Sequence, residues 1–69
     1  MSVGVSQAVF DGIEFVRKSG ETNMLAKYTV ARIALDGGFF DTAVWVNEAS
    51  DELYAKMIFE RPIVVEGSG

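Results

Sequence analysis

The chain has 69 residues, no cysteine and no histidine, and its ten Asp and Glu against six Lys and Arg leave a formal charge of −4. That length allows one domain with a small core, and the missing residue types exclude disulfides and any zinc site built from Cys and His. The negative balance argues against a nonspecific hold on nucleic acid, which depends on neutralising phosphates, and no apolar run reaches the ~20 residues that span a bilayer.

A hydrophobic fraction of 49% is high for so short a soluble chain, which points to apolar surface hidden against a second copy or another protein. A homodimer is therefore expected. The start, Met1-Ser2-Val3-Gly4, lacks the basic segment of a secretory signal, so the expected location is cytoplasmic.

The first helix is predicted over about 6–19. Ser6 suits the N-cap, Val5, Val9, Ile13 and Val16 recur on one face, Arg17 and Lys18 occupy the last turn, and Gly20 suits the left-handed C-terminal position. Phe10 and Phe15 widen the apolar face, and Gly12 marks a place where a neighbouring helix packs closely. After a polar turn, Glu21-Thr22-Asn23, the pair Met24-Leu25 is expected to tuck under this helix.

A second helix is predicted over about 26–36, with Val30, Ile33 and Ala34 inward and Lys27 and Arg32 outward. Gly37-Gly38 ends it at a sharp corner. The third is predicted over about 40–60, since Phe39, Ala43, Val46, Ser50, Leu53 and Met57 form one helical seam and Asp41 can cap its start. Ser50-Asp51-Glu52 is itself a helix-start signal, so a kink at Ala49-Ser50 competes with the preferred single rod. Arg61-Pro62 ends helical structure. Ile63-Val64-Val65 then forms a short extended segment that either docks on its own domain or pairs with the same segment of another copy. The expected fold is an all-α three-helix domain over residues 1–66, with Gly67-Ser68-Gly69 as a flexible end.

From Phe10 to Phe59 the sequence resembles a family of short uncharacterised phage and prophage proteins. The resemblance is carried by Ile13-Glu14-Phe15-Val16-Arg17-Lys18-Ser19-Gly20-Glu21-Thr22-Asn23-Met24-Leu25, by Val30-Ala31-Arg32-Ile33-Ala34, by Gly38-Phe39-Phe40-Asp41 and by Trp45-Val46-Asn47-Glu48. Gly-x-Thr-Asn-Met, here Gly20 to Met24, is its most specific part. The chain departs from that pattern at Ala26, where the family tends to place a capping aspartate, and at Ala49-Ser50, where it tends to have a charged helix interior. The resemblance implies a phage context and a helical fold, and it implies no mechanism.

No catalytic constellation accompanies the carboxylates Glu48, Asp51 and Glu52, and Asp36, Asp41 and Glu48 are spaced too widely for a metal, so neither an enzyme nor a cofactor is expected. Gly37-Gly38-Phe39-Phe40 is locally similar to the glycine-aromatic corner of small ubiquitin-binding domains, but Phe39 is expected to enter the core. A helix-turn-helix reading of Tyr28 to Val46 fails because the second helix would present Asp41, Glu48, Asp51 and Glu52 to DNA.

Trp45 shares a line with Asp41, Glu48 and Glu52, and these four are the candidate partner-binding residues, with the edge of the core as the other place for Trp45. Val46, Leu53, Met57, Ile63 and Val65 are the candidate oligomer interface. The expected function is inhibition of a host protein, such as a defence component, by binding. The alternatives are a nucleic-acid-binding regulator and a small-molecule sponge built on Arg17, Lys18, Lys27 and Arg32.

Overall fold

Ser6 has an extended backbone and its Oγ accepts the N–H of Val9 at 3.3 Å, which starts α1 (Gln7–Ser19). Gly20 closes that helix at φ 65°, and Val5, Val9, Ile13 and Val16 are buried along one face. These features follow the sequence. The computed structural model describes residues 3–65; the expected flexible end, Gly67 to Gly69, lies outside them.

The turn after α1 is organised by Asn23. Its Oδ1 accepts the N–H of Leu25 at 2.8 Å and its carbonyl accepts the N–H of Ala26 at 2.9 Å, an Asx turn leading into α2 (Lys27–Asp36). Met24 packs against the core while Leu25 stays exposed. The expectation that both tuck inward is corrected, because neighbouring residues of a tight turn point in different directions.

Val30, Ala31 and Ala34 of α2 are buried. Lys27, expected outward, runs inward. Its side chain is 10% exposed, it lies 3.3 Å from Asp51, and its ammonium donates to the carbonyl of Ala49. That carbonyl lies just past a helix end and has no helical donor of its own, so a buried ammonium is well placed there. At the following corner Gly38 takes φ 86°, and Phe39 turns inward until its ring lies 5.0 Å from that of Phe15.

The expected third helix is two helices, α3 (Phe40–Glu48) and α4 (Asp51–Glu60). Ala49 and Ser50 are both extended, at ψ 144° and 160°, and the Ser50 Oγ accepts the N–H of Leu53 at 3.0 Å. The local start signal, with Asp51 and Glu52 in the first turn, has overridden the apolar periodicity. The break resets the helical phase, so on α4 Tyr54 and Met57 face the domain core and Leu53 faces out. Asp41 lies in the first turn of α3 without capping it; Phe39 holds the N-cap position.

The extended end settles on its own chain. β1 (Gly4–Val5) pairs in parallel with β2 (Ile63–Val64) in the register Gly4 to Ile63 and Val5 to Val64. The N–H groups of Ile63 and Val65 donate to the carbonyls of Val3 and Val5 at 3.0 and 2.8 Å. α2 and α3 pack most closely, α1 lies against both, and α4 reaches the body mainly through Tyr54, Met57 and Ile58. Among the described residues no helix is long and apolar enough to cross a membrane.

Candidate functional site

α3 is positioned by its inner face. Thr42, Ala43 and Val46 are buried, and the Thr42 hydroxyl lies 3.1 and 3.2 Å from the carbonyls of Ala8 and Val9, to which it donates. The approach depends on Gly12, where a Cβ would fall 1.9 Å from Thr42 Oγ1. This contact fixes the rotation of α3 about its axis and so decides which residues it shows to solvent.

Those residues are Phe40, Asp41, Val44, Asn47 and Glu48. Phe40 and Val44 are one turn apart on the same line and are 64% and 39% exposed. Asp41 lies beside them at the start of the helix and Glu48 follows at its end. Across the corner, Asp11 of α1 joins Ala8, Gly38, Phe39, Phe40 and Asp41 around an open hollow of about 280 Å³. Asp11 accepts a hydrogen bond from Gln7 Nε2 at 2.7 Å. The arrangement is an apolar stripe with carboxylates on its rim. That is suited to holding a surface that is basic and partly apolar.

The structure separates the sequence candidates. Asp41 and Glu48 remain together on α3. Glu52 belongs to α4 and lines a different hollow, of about 420 Å³, with Ser50, Leu53 and Lys56, so the single acidic line is broken where the helix is broken. Trp45 is half-buried and packs against the core, the second of the two places open to it.

Of the interface candidates, Val46 and Met57 have no exposed surface and belong to the chain's own core, so these two are corrected from interface to core. Leu53, Ile63 and Val65 are exposed. The basic set is also dispersed in role: Lys27 is committed to the α3–α4 break, Arg17 pairs with Glu14 at 3.4 Å, and Lys18 and Arg32 are exposed.

Sequence reasoning missed Asp11, Phe40 and Val44 as site members and Tyr54 as a core residue. The Tyr54 hydroxyl donates to the Met24 carbonyl, and burial pushes its pKa up to about 12 against the opposing pull of the Arg17 charge. This bond ties α4 to the turn that contains Thr22-Asn23-Met24. The most distinctive stretch of the sequence thus has a structural task, with Gly20 ending α1, Asn23 making the Asx turn and Met24 receiving α4.

Neither a curated protein nor a solved structure matches the chain. Residues 5–60 match the family described as Domain of unknown function (DUF5049), a span that takes in all of α1 to α4. The chain belongs to the DUF5049 family.

Proposed function

We propose that this protein acts by binding another protein, using the outer face of α3 against a basic and partly apolar surface. The supporting observation is the exposed pair Phe40 and Val44 on one line, with Asp41 and Glu48 on the same face. A lone exposed apolar residue is ordinary, whereas an apolar stripe rimmed by charge of one sign is the pattern of a recognition surface. The carboxylates would steer a basic partner and the aromatic ring would hold it once docked. The resemblance to phage proteins supplies a setting: a phage-encoded inhibitor that covers a basic cleft of a host defence component, its acidic helix standing in for a nucleic-acid backbone.

The test is capture of a partner from host extract by the wild type and by two groups of variants, followed by binding kinetics. Asp41→Lys with Glu48→Lys should slow association and flatten its salt dependence, and Phe40→Ala should speed dissociation roughly tenfold or more. Glu52→Lys, beyond the helix break, should change neither. A partner that ignores the α3 changes and is lost with Glu52→Lys would refute this face. Trp45→Ala is a poor probe, because that side chain packs against the core and its loss would weaken the fold.

A further inference from the structure

We propose that the hollow between α1 and the α2–α3 corner is a socket for one cationic side chain of the partner, with arginine preferred. The inference rests on the protein-binding reading above and names the group that would enter first. The hollow, about 280 Å³, draws its two carboxylates from different elements, Asp11 from α1 and Asp41 from the first turn of α3, so a cation entering it meets negative charge from two elements. The ring of Phe40 lines the same space and is 64% exposed, and an aromatic face attracts a cation.

Among the described residues no Lys or Arg lines the hollow, and the hydrogen bond that Asp11 receives comes from the neutral amide of Gln7. The two carboxylates outweigh the partial positive charge, roughly half an elementary charge, that the N-terminus of α3 brings to the same hollow. Ala8 and Phe39 complete the lining with apolar surface for the methylene stem of a long basic side chain. Arginine suits the set better than lysine, because its planar guanidinium stacks on a ring while its N–H groups reach a carboxylate.

The probe is N-acetyl-arginine amide titrated into the uniformly ¹⁵N-labelled full chain, with N-acetyl-lysine amide and the neutral isostere N-acetyl-citrulline amide in parallel. Arginine should shift the amides of Ala8, Asp11, Gly38, Phe40 and Asp41 with a Kd on the order of 1 mM. Citrulline should bind about tenfold more weakly or not at all. Asp11→Asn with Asp41→Asn should weaken arginine by about tenfold or more, and Phe40→Leu by roughly three- to fivefold. These three positions are exposed, and each variant's amide spectrum checks its fold.

Equal shifts from citrulline, retained arginine binding in the double Asn variant, or shifts confined to other faces would overturn the socket. Partner capture that depends on Val44 and Glu48 while arginine leaves the hollow unshifted would overturn the socket and leave the α3 face standing. Arginine shifts at the hollow together with capture insensitive to α3 changes would support the socket and overturn the wider reading.

Discussion

Gly12 and Thr42 decide how closely α1 lies on α3, and the effect of filling that space is a matter of sign. Gly12→Ala should gain up to about 1 kcal/mol of helix propensity. It should lose more to the clash with Thr42, for a net destabilisation of about 1–3 kcal/mol in urea unfolding. Adding Thr42→Ala should recover part of that loss, since the two side chains compete for one space. Gly12 was legible in the sequence as a point of close packing, because a glycine inside an otherwise good helix needs a steric reason. Tyr54 was not legible as the anchor of α4, because its partner is a backbone carbonyl 30 residues away. It also carries a pH signature. The residue is 2% exposed, and burial pushes its phenol from the ordinary 10 up to about 12. Below pH 10 both states hold the proton. Between 10 and 12 the unfolded chain releases it while the folded chain does not, so stability should fall with rising pH, by about 2–3 kcal/mol at most. Tyr54→Phe should remove that part of the slope in urea titrations across this range.

At the level of elements, the break at Ala49-Ser50 separates two accounts of the same residues. In an unbroken helix Ser50→Ala would stabilise by a few tenths of a kcal/mol through propensity. As the N-cap of α4, Ser50→Ala should instead cost about 1 kcal/mol, measured by thermal or urea unfolding. The phase reset gives a second contrast. Val46→Asp places a carboxylate at a fully buried position and should unfold the chain, whereas Leu53→Asp, at a position 40% exposed, should leave the circular dichroism spectrum nearly unchanged. An uninterrupted seam would make both unfold. The first two helices and the corner at Gly37-Gly38 could be read directly from caps and periodicity. The third could not, since the step from Val46 through Ser50 to Leu53 fits a helix numerically and two extended residues leave no trace in the spacing. The signal that did mark the break was local, a serine followed by two acids. Lys27 was misplaced for the same kind of reason, because an exposed position is the ordinary reading of a lysine and the orphaned carbonyl it serves arises only from the break.

On the scale of the whole molecule, the apolar excess that suggested a homodimer has two destinations. Part of it is internal, in Val46, Tyr54 and Met57, and in the pairing of the C-terminal segment with β1. The rest is displayed on several elements, and on α3 Phe40 and Val44 lie on one face with Asp41 and Glu48. Asp41 and Glu48 could be picked from the sequence as one acidic surface. Asp11 could not, because only the turn at Gly37-Gly38 brings the start of α3 beside α1. The central claim is that a partner docks on α3, and the most direct measurement is site-specific photo-crosslinking in host cells with p-benzoylphenylalanine in place of Phe40, of Val44, or of Phe59, which is 72% exposed on α4. The account predicts one discrete adduct of the same partner from positions 40 and 44 and none from 59. Adducts from 59 alone, or adducts of twice the chain's own mass from 40 and 44, would contradict it.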